Sequence, residues 1–220
     1  MFENQITPSI LNVEKEDRPD VIKQLIDLGI KWFHYDVMDG QFVTNTAITV
    51  EEIISFYHQL PKHLCDVHLM VKDPIEYAYK LRDFATCITA HYEAFNDEKE
   101  IMDFVNEFSN TNWIGISIKP NTPFDKIKHL LHWFDLVLIM SVEPGKGGQA
   151  FIEDSYEKIK EISQFIQEEK LPTIIQVDGG INDTNCQKVF QAGSTFNVVG
   201  SYLMKNLNAQ TIKKLSAKVD

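Results

Sequence analysis

Cysteine is scarce in this chain. Three residues, Cys65, Cys87 and Cys186, are spread over 220 positions. An odd number at such spacings makes neither a CxxC ligand pair nor a disulfide framework, so a reducing cytoplasm is the simplest expected location. Positive charge is also short: 21 Lys and Arg stand against 32 Asp and Glu, a net charge of -11. Nucleic acids are held mainly through a Lys and Arg surplus, so a nucleic-acid partner is not expected. An anionic substrate would have to be trapped locally by backbone amides rather than drawn by the overall field. Long apolar runs are missing, and Met1-Phe2-Glu3-Asn4-Gln5 is no basic region leading into one, which argues against a membrane partner.

Apolar residues nevertheless make up 44% of the chain, enough for a large core, and 24% are charged. The length suits one domain covering residues 1–220. Short apolar runs alternate with amphipathic stretches from end to end. Expected strands are Ile6 to Leu11 (with Pro8 at an edge or bend), Trp32 to Val37, Leu64 to Leu69, Cys87 to Tyr92, Trp113 to Ile118, Leu136 to Met140, Thr173 to Val177 and Thr195 to Val199. Between them, helical spacing runs from Val21 to Leu28, Val50 to Tyr57, Ile75 to Leu81, Ile101 to Phe108, Ile127 to Phe134, Tyr156 to Glu168 and Thr184 to Gln191, with a last helix over Ala209 to Ala217. Leu28-Gly29 and Ala192-Gly193 each close a helix shortly before a strand, a faint internal echo. Eight β-then-α units predict a closed parallel α/β barrel, the TIM (β/α)8 fold. An open doubly wound sheet is the runner-up, but no set of three spaced glycines follows the first strand.

The chain is organised around Phe33-His34-Tyr35-Asp36-Val37-Met38-Asp39-Gly40. Strand side chains alternate faces, so His34 and Asp36 point the same way. Taken alone, the pair reads sooner as a structural hydrogen bond than as a ligand pair. Two further signals lie at strand ends, Asp66-Val67-His68-Leu69-Met70 and Gln176-Val177-Asp178-Gly179-Gly180. Barrel chemistry gathers at the carboxyl ends of the strands, where Ser9, His34, Asp36, His68, Met70, Met140, Asp178 and Gly200 all fall. Two imidazoles and two carboxylates suit one divalent metal: Zn2+, Fe2+, Mn2+ or Co2+. Asp66, deeper on the same face, is expected to orient a histidine, Asp39 to close a turn, and Cys65 to be an inert buried thiol. His91 and Glu93, at the end of strand four, either reach the mouth or serve a rim or packing role. Glycine-rich loops, Gly145-Lys146-Gly147-Gly148, Gly179-Gly180 and Gly200-Ser201, allow close approach to an anion, and a short helix after strand eight would add its positive end. The residues point to a metal-assisted reaction on a small phosphorylated molecule.

Five ordered motifs carry a resemblance: Pro8-Ser9-Ile10-Leu11, His34-Tyr35-Asp36-Val37-Met38-Asp39-Gly40, Asp66-Val67-His68-Leu69-Met70, Pro144-Gly145-Lys146-Gly147-Gly148-Gln149 and Val177-Asp178-Gly179-Gly180-Ile181-Asn182. Over nearly the whole chain the sequence resembles the ribulose-phosphate 3-epimerase family. The resemblance implies a barrel of the ribulose-phosphate-binding type that interconverts D-ribulose 5-phosphate and D-xylulose 5-phosphate in the pentose phosphate pathway. It implies a metal held by His34, Asp36, His68 and Asp178, with Asp36 and Asp178 as the proton-transfer pair. Ser9, His68, Asp178 and the glycine loops (Gly145, Lys146, Gly147, Gly148, Gly179, Gly180, Gly200, Ser201) would meet the substrate. Met38, Met70 and Met140 match the family's methionines around the reacting carbons, and association into a homo-oligomer is the family habit.

The sequence departs from that pattern at Thr44, where Pro is common, at Thr46-Ala47-Ile48-Thr49, which lacks a glycine, and at Lys146, where Phe is common. These positions touch substrate choice rather than reaction type. A 3-epimerase for a six-carbon ketose phosphate such as D-allulose 6-phosphate is therefore the alternative. A decarboxylase or aldolase on a related barrel would need an Asp-x-Lys-x-x-Asp array, and no Lys follows Asp36 at that spacing. A non-catalytic phosphate-binding protein would not need the four ligand types together.

Overall fold

The computed structural model describes residues 4–216. Eight parallel strands form one sheet: β1 (Gln5–Pro8), β2 (Trp32–Met38), β3 (Leu64–Met70), β4 (Cys87–His91), β5 (Trp113–Ile118), β6 (Leu136–Met140), β7 (Ile174–Asp178) and β8 (Phe196–Val199). Neighbours run β1-β8-β7-β6-β5-β4-β3-β2. A single parallel bridge between Ser9 and His34 brings the two ends together, closing the expected barrel. Eight α-helices accompany the strands: α1 (Arg18–Asp27), α2 (Val50–Gln59), α3 (Pro74–Leu81), α4 (Glu98–Phe108), α5 (Ser155–Glu168), α6 (Cys186–Ala192), α7 (Ser201–Lys205) and α8 (Ala209–Leu215). None of the described helices is long and apolar enough to cross a membrane. Ala217, the expected end of the last helix, lies outside the described residues.

Strand alternation divides the core in two. Phe33, Tyr35, Val37, Val67, Leu69, Ile88, Ile116, Ile139 and Val177 face outward and pack in one cluster with helix residues such as Ile53, Phe104 and Ile159. The second set fills the barrel: Trp32, Cys87, Leu136, Leu138, Ile174 and Phe196 form an apolar plug. Trp32 lies 5.4 Å from both Trp113 and Phe196, within the range of favourable aromatic contact. Above the plug the inward side chains turn polar, and there the site begins.

The helices start where their sequence says. Thr49 and Glu52 form a reciprocal capping box on α2, while Asp73 and Asp97 cap α3 and α4 through the amides of Glu76 and Glu100. Such caps are worth about 1 kcal/mol each. Two expectations need correction. The first strand stops at Pro8 rather than Leu11, because Pro8 ends the β8 pairing and Ser9 turns to meet β2. Residues 127–134 are not an α-helix: a 3-10 helix, Phe124–Lys126, ends just before them and a second, Lys128–Trp133, fills most of the stretch. Buried Phe124, Ile127 and Leu130 recur every third residue, which lines up on one face only at three residues per turn.

Candidate active site

β2 and β3 pair in register, setting His34 beside Asp66 and Asp36 beside His68. Each strand thus contributes one imidazole and one carboxylate to the barrel interior, in opposite order. Met140 pairs with Asp178 at the far side, so Asp178 closes the group from the last residue of β7. One donor atom from each of His34, Asp36, His68 and Asp178 lies within 4.8 Å of the other three. His34 Nε2 is 3.4 Å and His68 Nδ1 3.3 Å from Asp36 Oδ1, and both are 3.9 Å from Asp178 Oδ2.

The far side of each group fixes it in place. Asp66 Oδ2 lies 2.7 Å from His34 Nδ1 and also accepts a 2.6 Å hydrogen bond from Gln176 Nε2. Asp66 therefore orients a histidine, as its strand parity indicates. Ser9 Oγ donates to Asp36 Oδ2 at 2.7 Å. His34 Nε2 is buried without a hydrogen-bond partner, facing the carboxylates of Asp36 and Asp178. A nitrogen left free by its second ring atom's carboxylate bond is the arrangement a metal-ligating imidazole needs. The donor set of two imidazoles and two carboxylates fits a divalent cation.

Electrostatics separate the two aspartates. Burial by itself would raise Asp36, but His34 and His68 outweigh it and hold the carboxyl well below its usual range. Asp178 is pushed the other way, to about 7, by burial and by the charge of Asp36. Burial dominates at His68, lowering it to about 4, and also lowers His91. At His34 burial again pulls down, yet Asp66 and Asp36 together raise it well above 6.5.

Above the group opens a cleft of about 270 Å³. Of the residues the sequence placed there, Ser9, Asp36, Asp178, the three methionines Met38, Met70 and Met140, and Gly145, Lys146, Gly147, Gly148, Gly179, Gly180, Gly200 and Ser201 line it, whereas His68, also expected to meet the substrate, does not. His34 and His68 lie beneath, fully buried. The glycine rim is tightly built. At Gly180 φ is +66°, and an added Cβ would stand 2.4 Å from the Phe151 amide nitrogen. At Gly147 the same atom would stand 2.3 Å from Asn12 Nδ2. Gln149 Nε2 clasps the loop by donating to Glu143 O and Lys146 O, and Asn45 Nδ2 ties it to the β2 side through Gly145 O. Lys146 is exposed on the rim. The short helix expected after strand eight is α7, whose Ser201 Oγ accepts from Asn12 Nδ2.

Other assignments resolve equally well. Asp39 closes its turn, accepting from the amides of Gln41, Phe42 and Lys72. All three cysteines are free and buried, with Cys65 pushed up to about 12 by burial, so they are inert thiols. His91 and Glu93 are outside the cleft lining but adjoin the ligand group: His91 Nε2 lies 2.8 Å from His68 Nε2. Asn12, Tyr202 and Lys205 also line the cleft and escaped the sequence reading. Asn12 carried a usable signal, a polar residue three positions past Ser9 on the same loop; Tyr202 and Lys205 continue the Gly200-Ser201 turn.

Comparison with known proteins identifies the family. The family model for the ribulose-phosphate 3 epimerase family matches residues 5–204. The chain is 36% identical over 202 residues to the ribulose-phosphate 3-epimerase of Synechocystis, covering 89% of this chain and 85% of that protein. To the Bacillus subtilis ribulose-phosphate 3-epimerase it is 34% identical over 201 residues, 90% of each chain. Among solved structures, the octameric ribulose-1,5-bisphosphate carboxylase/oxygenase of Pyrococcus horikoshii superposes with a TM-score of 0.62 at 10% identity, over 97% of this chain and 57% of that one. That likeness is one of fold alone. By its barrel, its family match and its curated relatives, the chain belongs to the ribulose-phosphate 3-epimerase family and is an isomerase.

Proposed function

We propose that this enzyme interconverts D-ribulose 5-phosphate and D-xylulose 5-phosphate by moving the C3 proton between opposite faces of the sugar. The observation that carries the reading is the pair Asp36 and Asp178, two carboxylates that line one cleft from strands three places apart around the barrel (β7-β8-β1-β2). Asp36, held ionised, accepts the C3 proton. Asp178 delivers one to the other face, and the reverse reaction exchanges the roles. Ser9 keeps the Asp36 carboxylate aimed while its charge changes. Met38, Met70 and Met140 give the reacting carbons apolar, polarizable walls that keep water from the intermediate. The glycine loops and Ser201 would take the phosphate, a role barrels often give to the loops after strands seven and eight.

His34, Asp36, His68 and Asp178 would hold one divalent metal, which supplies Lewis-acid stabilisation of the negative charge growing on the substrate oxygens. The test is a coupled assay of the purified protein on D-ribulose 5-phosphate, before and after chelation and metal return. Fast formation of xylulose 5-phosphate, lost on chelation and restored by Zn2+, Fe2+, Mn2+ or Co2+, is expected. Activity indifferent to chelation would remove the metal. Turnover of D-allulose 6-phosphate without turnover of the pentulose would move the substrate to the hexulose class and point to Lys146 and the altered loop at Thr44.

A further inference from the structure

A second line of buried polar groups runs away from the ligand group through β4. His68 Nδ1 faces Asp36 Oδ1 at 3.3 Å, His68 Nε2 faces His91 Nε2 at 2.8 Å, and His91 Nδ1 faces Glu93 Oε2 at 3.2 Å. Glu93 Oε1 is committed elsewhere, accepting from the Lys119 amide at 2.8 Å and from the Thr122 hydroxyl. His91 is sealed from solvent, its ring 4.9 Å from that of Phe42, over which Lys119 Nζ lies at 4.2 Å. The chain has two carboxylate ends, two neutral imidazoles and three gaps.

Two neutral imidazoles bring two protons to three gaps. Leaving the central gap empty would set two nitrogen lone pairs against each other at 2.8 Å, which their contact forbids. One proton therefore occupies the centre, and the other goes to the Asp36 end or to the Glu93 end. If it sits at the Asp36 end, His68 Nδ1 carries hydrogen and offers nothing to a metal. If it sits at the Glu93 end, His91 Nδ1–H donates to Glu93, His68 Nε2–H donates to His91, and His68 Nδ1 turns a lone pair toward Asp36 and Asp178. Glu93 competes well for that proton because its carboxylate is an acceptor only and is already aimed by two donors from the loop after β5. His34 reaches the same state with one carboxylate, Asp66, in direct contact.

We propose that His91 and Glu93 are positioning residues that fix the tautomer of His68, so that its Nδ1 is free to ligate the metal. This rests on the metal reading of the site given above. Neither residue lines the cleft or touches the substrate. They act through His68, as outer partners of ligating histidines do.

Glu93→Gln is the informative variant. The Gln oxygen keeps the acceptor position facing Lys119 and Thr122, which places its NH2 against His91 Nδ1. That inverts both imidazoles and puts hydrogen on His68 Nδ1. His91→Gln is the conservative rescue, since its amide oxygen can accept from His68 while its NH2 donates to Glu93. Two readouts apply to the full-length protein. Imidazole 1H–15N correlation spectra of the metal-free protein report the His68 tautomer, and titration with Co2+, followed by its visible absorption, reports affinity. Expected are Nε2–H on His68 in the wild type, Nδ1–H in Glu93→Gln, and a loss of Co2+ affinity of about 10- to 100-fold in that variant, with His91→Gln much nearer to wild type. A His68 tautomer unchanged by Glu93→Gln would overturn the proposal. So would greater damage from His91→Gln, which leaves a gap, than from the isosteric Glu93→Gln, because packing would then explain both. A wild type that binds no Co2+ would instead remove the metal reading, and the tautomer spectra would still decide the role of the pair.

Discussion

The two sides of the barrel mouth are built from different materials. On the β2–β3–β4 side the working atoms belong to side chains on strands, His34, Asp36 and His68, each braced by a second buried group. On the side of the loops after β6, β7 and β8 the cleft is lined largely by glycine and small polar residues, with Asp178 as the ionisable group at its base. The contrast follows from the tasks. Moving a proton at carbon needs groups of tuned acidity held within tenths of an ångström, which rigid strands provide. Taking up a phosphate needs close backbone approach, which side chains would obstruct. The braced side together with Asp178 should govern kcat, and the glycine loops KM.

The largest expected effect comes from Asp178→Asn, which keeps the shape and removes the proton carrier. kcat should fall by about 10^3- to 10^4-fold with a native circular-dichroism spectrum. Activity near that of wild type would end the two-carboxylate assignment. The glycine side is challenged by Gly147→Ala, whose Cβ would meet Asn12 Nδ2 and disturb its bond to Ser201. KM for the sugar phosphate should rise about tenfold, the worth of one hydrogen bond to a charged group, with kcat little changed. A fall in kcat with KM intact would erase the proposed division of labour.

Smaller effects concern stability and pH. Asp178 sits at about 7 in the folded, metal-free protein, above its ordinary 3.8. The unfolded chain then gives up this proton more readily, so metal-free stability should decline as pH rises from about 4 to 7. Asp178→Asn should raise the metal-free melting temperature at pH 7 by a few degrees and leave it unchanged near pH 4. Such a gain would mark the site as tuned for function at the expense of stability. Glu93 moves oppositely, from 4.5 to about 2, burial being outweighed by its bonds from His91, Thr122 and Lys119. Its contribution is complete above about 4.5 and is lost as pH falls toward 2. Glu93→Gln should flatten that limb of the acid unfolding curve, and an unchanged limb would show that the carboxylate is not held as described.

The same contrast explains what the sequence made legible. On the braced side, parity alone put His34 with Asp36 and Asp66 with His68 on one face, because a strand has only two. Whether those faces met depended on register, which pairs Asp36 with His68 and which no local spacing encodes. The His91–Glu93 line was visible as residues but not as a network, since its partners Lys119 and Thr122 come from the loop after the next strand. On the glycine side, composition revealed the three loops, yet Asn12 joins them only because β1 and β8 are neighbours in the closed barrel. The misread helix at 127–134 shows the limit of periodicity, since spacings of three and four occur together there and only the chain's packing selects between them.

The most direct measurement is conversion of D-ribulose 5-phosphate in D2O, stopped at low turnover and read by NMR of the xylulose 5-phosphate formed. If Asp36 removes the C3 proton and Asp178 returns another from the opposite face, each product molecule carries one deuterium, at C3 and nowhere else. Product that retains its original hydrogen at C3 would contradict the account.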